Sequence, residues 1–176
     1  MKKAVFLFVL LMVAGAVFGQ EFSFRGFPWG SSVDDIIAKE GQPSDNTHGQ
    51  LMYKNKNAAG YNALLFFYCS PPYSDSYVEK YSLKGAQYQI PVTNENSESA
   101  YYDLLDKLSK LYGKPIPGGT KPHRVNIKDR YNYWVVSKTK ITLTLLYDLK
   151  IENAQVSLIT ISYYSPDWVI NEFGDL

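Results

Sequence analysis

The sequence predicts an α+β fold in which two helices pack on one face of an antiparallel sheet. The 176-residue chain contains 15 Tyr, 9 Phe and 3 Trp, and aromatic residues are enriched in strands. Two segments carry apolar residues at helical spacing, whereas several others alternate between apolar and polar residues. These observations argue against a disordered chain and favour a sheet-containing fold over an all-helical bundle.

The N-terminus has the pattern of a signal peptide. Lys2 and Lys3 precede an apolar run from Ala4 to Val13, and small residues follow. We expect cleavage after Gly19, with an alternative site three residues earlier. The apolar stretch is shorter than the roughly 20 residues that a membrane-spanning helix needs. The sequence therefore predicts a signal peptide over residues 1–19 and a periplasmic or secreted protein with no membrane span after cleavage.

Charge and cysteine content limit the partners and the chemistry. Without Lys2 and Lys3, 16 basic residues are present with 17 acidic ones, so whole-molecule charge attracts neither nucleic acid nor an anionic membrane. The single cysteine, Cys69, cannot form an internal disulfide and lies far from the position of a lipid attachment site. The hydrophobic core alone must therefore stabilise the fold.

The first half of the chain predicts a short strand, a helix and three strands. Ser32 and Asp35 have the spacing of a capping box at the helix start, and Gly41 with Pro43 ends the helix. Strands are predicted near 51–54, over 61–69 and from 76 to about 88, because these runs are apolar or alternating and turn residues separate them.

The second half predicts a longer helix and three more strands. Apolar residues recur at helical spacing over 101–112 after an Asn96-Ser97 start, and Gly113 ends the helix. Strands are predicted at about 130–137, 140–149 and 155–164. In the middle one, apolar residues at 141, 143 and 145 oppose Thr142 and Thr144. We also predict a short helix over about 166–173.

The predicted helix and strands follow the same order in the two halves of the chain. Gly41-Gln42-Pro43 and Gly113-Lys114-Pro115 are 72 residues apart, and this offset places Tyr61 on Tyr133. We interpret this as a tandem αβββ pseudo-repeat, about 21–90 and 91–164, within a single domain over 20–176. The alternative is a chance alignment of two ordinary helix ends.

One motif resembles a known group of proteins. Residues 24–32, reading FRGFPWGSS, resemble the F-x-G-x-x-W-G-x-S motif of small exported bacterial proteins of unknown function. The helix-then-strands layout also resembles the small αβ modules of the outer-membrane assembly lipoproteins and of the β-lactamase inhibitor proteins. The resemblance implies a binding module and supplies no catalytic residues.

Catalytic motifs of the common nucleotide-binding, hydrolase and metalloprotease types are not found in the sequence. We therefore predict a non-enzymatic protein with no cofactor and no metal. The alternative is a hydrolase that uses Asp103, Asp106 or His123, since the two aspartates are about one helical turn apart. The simpler interpretation of that pair is the solvated face of the second helix.

Two surface features indicate binding. The segment from Lys114 to Arg130 is rich in basic residues, and tyrosines recur along the predicted strands; exposed tyrosine suits contact with protein or sugar. The candidate binding residues are Lys121, His123, Arg124, Lys128, Arg130, Tyr73 and Trp29. The alternatives are that the basic segment is an ordinary solvated loop, that the tyrosines fill a partly exposed sheet face, and that Trp29 anchors the fold.

The leading hypothesis is an assembly or binding module of the bacterial envelope with an unknown protein or glycan partner. A secreted inhibitor or a host-surface or glycan binder is the alternative.

Overall fold

The computed structural model describes residues 22–70, 81–118, 130–151 and 154–168. The predicted signal peptide, residues 119–129 of the predicted basic segment, Tyr73 and most of the predicted C-terminal helix lie outside these residues. None of the described helices is long and apolar enough to cross a membrane.

The first described residues form a hairpin and a helix. Strands β1 (Ser23–Phe24) and β2 (Phe27–Pro28) pair across a two-residue turn. Arg25 and Gly26 both have positive φ, 54° and 78°, as a type I′ turn requires. Helix α1 (Val33–Glu40) then begins with the capping box of Ser32 and Asp35, so the predicted helix start is confirmed.

Four strands follow α1: β3 (Asp45–Thr47), β4 (Gln50–Ala58), β5 (Tyr61–Ser70) and β6 (Ser82–Val92). The structure confirms the strand predicted at 61–69. That prediction depended on an almost continuous apolar run, which suits a central strand. It adds β3, whose three residues are all exposed and carry no apolar signal. Strand β6 extends four residues beyond the predicted end at residue 88.

The second helix and its strands follow the prediction closely. Helix α2 (Asn94–Tyr112) begins two residues before the predicted start. It is followed by β7 (Ile116–Pro117), β8 (Arg130–Val136), β9 (Thr139–Ile151) and β10 (Ala154–Tyr164). The short edge strand β7 was not predicted.

All pairings in the large sheet are antiparallel, and its strand order is β3-β4-β5-β6-β10-β9-β8-β7. The order is symmetric about the β6–β10 pair, and Gly41 and Gly113 end the two helices with similar positive φ. Each half nevertheless contributes four described strands to this sheet rather than three. Tyr61 contacts α2, whereas Tyr133 lies on the other face of the sheet. The tandem αβββ repeat therefore stays a prediction, and the 72-residue alignment does not equate these two tyrosines in space.

Both helices contact the same face of the sheet. Register places Leu51, Phe67, Ala86, Tyr163 and Ile141 in line across five strands, and all five are buried in one core. On this face Tyr53 donates a hydrogen bond to the carbonyl of Gly41 at the end of α1, and Asn132 donates one to Tyr101 of α2. We call it the helix-covered face.

Candidate binding surface

The opposite face of the sheet has no helix over it among the described residues, and we call it the helix-free face. Two rows of side chains cross it at right angles to the strands. Row 1 consists of Met52, Phe66, Gln87, Ser162, Thr142 and Tyr133. Row 2 consists of Leu64, Gln89, Thr160, Thr144 and Tyr131.

The centre of both rows consists of small hydroxyl side chains. Ser162 and Thr160 of β10 are 2% and 8% exposed, and Thr142 and Thr144 lie beside them on β9. Larger side chains flank these four positions, glutamines on β6 and tyrosines on β8. Phe66 of row 1 is also only 8% exposed. We call the four hydroxyl positions and the side chains that flank them the trough, and its centre is largely buried.

A hydrogen-bond network fixes the glutamine side of the trough. Nε2 of Gln87 donates to Oγ of Ser162 at 2.8 Å, and Oε1 of Gln87 accepts from Nε2 of Gln89 at 2.7 Å. The hydroxyl of Tyr68 donates to the same Oε1 at 3.1 Å. Because these bonds link β5, β6 and β10, the amide groups are held in one orientation.

An aromatic cluster borders one end of the trough. The ring of Trp168 makes edge contacts with Tyr68 and Tyr164, at centroid distances of 5.5 and 6.3 Å. It lies over Gly85, where a Cβ would be 2.7 Å from the indole. Only glycine leaves room for the ring at this position, so β6 is shaped to accept Trp168.

Rows 1 and 2 contain no charged residue. In water-facing sheet surfaces charged side chains are common, whereas the centre of a binding surface is depleted in charge and enriched in aromatic residues and Met. The nearest described charges border the trough. Lys140 lies 5.4 Å from the ring centroid of Tyr133, and Lys84 is 3.8 Å from Asp167.

Of the candidate binding residues, Trp29 and Arg130 are described, and both contact the helix-covered side. The indole of Trp29 donates to Oγ1 of the buried Thr139 at 2.8 Å, and its ring stacks on Phe22. Arg130 donates to the hydroxyl of Tyr102 at 2.6 Å and lies 3.2 Å from Glu98. Neither residue is part of rows 1 and 2. The other candidates, Lys121, His123, Arg124, Lys128 and Tyr73, lie outside the described residues.

Asp103 and Asp106, the two aspartates of the hydrolase alternative, have different surroundings. Asp103 lines a groove of about 540 Å³ together with Tyr61, Asn96 and other residues, whereas Asp106 is not among the described residues lining it and pairs with Lys110. Hydrogen bonds from Lys107 and Tyr61 lower the pKa of Asp103, whereas a general acid needs a raised one. His123 lies outside the described residues, so this alternative stays a prediction.

Sequence reasoning found part of the trough. The alternation in β9 correctly placed Thr142 and Thr144 opposite the apolar residues. Sequence reasoning missed Gln87, Gln89 and Ser162, although the alternation of polar and apolar residues along β6 and β10 places these side chains on one face. Their contact depends on the pairing of β6 with β10, which joins residues 75 positions apart.

No protein-family model matches the sequence, and no similar curated protein or solved structure was found. The resemblance of residues 24–32 to small exported proteins therefore stays a prediction, and the functional argument depends on the geometry of this chain.

Proposed function

We propose that the protein is an exported, non-enzymatic binding module of the bacterial envelope, and that its ligand lies on the helix-free face. The observation that carries this proposal is the absence of charge from rows 1 and 2, which together cross six strands. Such a surface has the composition of an interface centre rather than that of a solvated sheet face.

The fold supports this division of roles. The helices and the N-terminal hairpin bury one apolar face, which supplies the stability of the domain. Rigid strands hold the side chains of the other face at fixed spacing, and a rigid surface loses little entropy when it binds. The predicted signal peptide would deliver this domain to the periplasm or the cell exterior.

Binding to isolated envelopes tests the proposal. The exported protein is mixed with envelopes of the cells that make it, and the bound fraction is measured by co-sedimentation over a range of protein concentrations. The Thr144→Lys variant places a long charged side chain on the trough floor. Thr47→Lys is the matched control, because Thr47 is an exposed strand threonine on the edge strand β3.

We expect saturable binding by the wild type and by Thr47→Lys, and at least tenfold weaker binding by Thr144→Lys. Equal thermal unfolding midpoints would show that the variants are folded. The proposal is wrong if Thr144→Lys binds like the wild type, or if no form of the protein binds envelopes.

A further inference from the structure

Three of the five large hydrophobic side chains that are exposed in the described part of the chain lie at one edge of the sheet, where β7 and β8 are the last strands. Leu111 of α2 is 54% exposed, Ile116 of β7 45% and Val135 of β8 60%. Ile116 pairs with Tyr133, and Val135 follows Tyr133 by two residues on the same face of the sheet. Exposed apolar side chains that lie together mark an interaction surface, whereas scattered ones need no explanation.

The end of α2 brings Leu111 to the same edge. The indole of Trp134 donates a hydrogen bond to the carbonyl oxygen of Gly113 at 2.9 Å. Leu111 lies two residues before Gly113, Ile116 lies three residues after it, and Val135 follows Trp134 directly. The three exposed side chains therefore surround one contact between α2 and β8.

This edge carries basic residues and no acidic ones. Residues 107–118 and 130–147 contain six Lys or Arg and no Asp or Glu. Three of the six form ion pairs with acids of α2: Lys107, Lys110 and Arg130. Lys114, between α2 and β7, and Lys138, in the turn between β8 and β9, are both exposed, and neither has an acidic partner among the described residues. They give the edge a local positive charge.

We call this surface the edge patch; it consists of Leu111, Ile116, Val135, Lys114 and Lys138. Its composition favours an anionic lipid surface over a protein, because protein interfaces are enriched in aromatic residues and Arg and depleted in Lys. Addition of a peptide strand is opposed by Pro115 and Pro117, which have no N–H to donate. Aliphatic side chains beside lysines are typical of surfaces that bind anionic bilayers. The balanced charge of the whole molecule does not oppose such binding, since salt screens charges beyond about 8–10 Å.

We infer that the edge patch docks the protein on the surface of a membrane that contains anionic lipids. The three aliphatic side chains enter the boundary between headgroups and acyl chains, and the two lysines lie against the lipid phosphates. The protein lies on the membrane and does not span it. This inference goes beyond the proposed function, because it concerns the sheet edge and not the ligand of the helix-free face.

Vesicles of defined lipids test the inference. The exported protein is mixed with sucrose-loaded vesicles of phosphatidylcholine alone or of equal parts phosphatidylcholine and phosphatidylglycerol, and the bound fraction is measured by co-sedimentation. Val135→Asp places a negative charge in the edge patch. Thr47→Asp is the matched control, because Thr47 is an exposed threonine, similar in shape to valine, on the opposite edge strand β3.

Two double variants separate the apolar and the charged parts of the edge patch. Leu111→Gln with Val135→Thr removes apolar surface without adding charge, so the test does not depend on the folding of Val135→Asp. Lys114→Gln with Lys138→Gln removes charge, and Lys54→Gln is its control, because Lys54 is exposed on β4 near the opposite edge. Equal thermal unfolding midpoints would show that the variants are folded.

We expect the wild type and both controls to bind the mixed vesicles within about threefold of one another. Val135→Asp and the lysine double variant should bind at least about tenfold more weakly, because attraction to the anionic headgroups is lost. The apolar double variant should bind about fivefold more weakly, because less apolar surface enters the membrane. Vesicles of phosphatidylcholine alone should bind the wild type at least about tenfold more weakly than mixed vesicles.

Two results would overturn the inference. The first is failure of the wild type to bind mixed vesicles, which would leave the proposed function intact, because these vesicles carry no protein or glycan for the helix-free face. The second is equal binding by the wild type and the apolar double variant, since charge alone would then explain the attraction.

Discussion

The carboxylate of Glu40 accepts two hydrogen bonds from the guanidinium of Arg25, at 2.6 Å from Nε and 3.2 Å from Nη2. Glu40 is the last residue of α1, and its side chain is only 6% exposed. Lys56 of β4 donates to the same carboxylate at 2.9 Å, and Arg25 also donates to the hydroxyl of Tyr88. One carboxylate therefore joins the hairpin turn, the end of α1 and the sheet.

Replacing Glu40 by Gln should destabilise the protein. The amide keeps the volume of the side chain but leaves two cations without a counter-charge, so we expect a loss of about 1–3 kcal/mol in the free energy of unfolding. Urea denaturation measures it. Asp106→Asn is the matched control, because its ion pair with Lys110 is exposed and should contribute less than about 0.5 kcal/mol. Equal effects of the two variants would contradict the role of Glu40.

The contribution of Glu40 should disappear in acid. Burial alone would raise the pKa of this carboxyl, but hydrogen bonds from Arg25 and Lys56 outweigh burial and lower it below the ordinary value of 4.5. A lowered pKa in the folded state stabilises the protein above pH 4.5, and this stabilisation is lost as the pH falls through the folded pKa. Unfolding of wild type and Glu40→Gln between pH 3 and 7 should show a difference that is constant at neutral pH and shrinks in acid. A difference that does not vary with pH would refute this account.

Cys69 should be unreactive in the folded protein. Cys69 lies on β5, and its side chain is buried in the hydrophobic core. Burial raises the pKa of its thiol to about 12, so the reactive thiolate is scarce at neutral pH. We expect an aromatic disulfide reagent to modify it at least a hundredfold faster in 6 M guanidinium than in buffer. Equal rates in both conditions would show that the thiol is accessible.

Gly85 and Trp168 should be strongly coupled. A methyl group at residue 85 would meet the indole ring, so Gly85→Ala should cost about 1–3 kcal/mol through overpacking. In a Trp168→Ala background the ring is gone, and the same substitution should cost at least about 1 kcal/mol less. Urea denaturation of the four proteins completes the cycle. Additive effects would mean that Trp168 does not lie over Gly85.

Local signals were sufficient for the two helices and the longer strands of this fold. The capping box of Ser32 and Asp35 marks the start of α1, and apolar residues spaced along 101–112 define α2, because these patterns involve neighbours within one or two turns. Strand β9 was predictable from its alternation. The edge strands β3 and β7 were not, since three exposed residues and an Ile-Pro pair carry no strand pattern.

Long-range contacts were beyond the reach of local patterns. The bond between Gln87 and Ser162 requires β6 to pair with β10 in one register, and a one-residue shift would turn either side chain to the other face. The ion pair of Arg25 and Glu40 likewise depends on how the hairpin packs on α1. Sequence alone could therefore suggest an aromatic sheet surface but not the trough on it.

The central claim is that a ligand binds to the helix-free face. The most direct test follows the side-chain amide signals of the protein by NMR during titration with solubilised envelope material. Gln87 and Gln89 report on the trough, and Asn96 reports on the groove beside α2. We predict that the two glutamine signals shift in a saturable manner while Asn96 does not move. Shifts at Asn96 with unchanged glutamine signals would contradict the account.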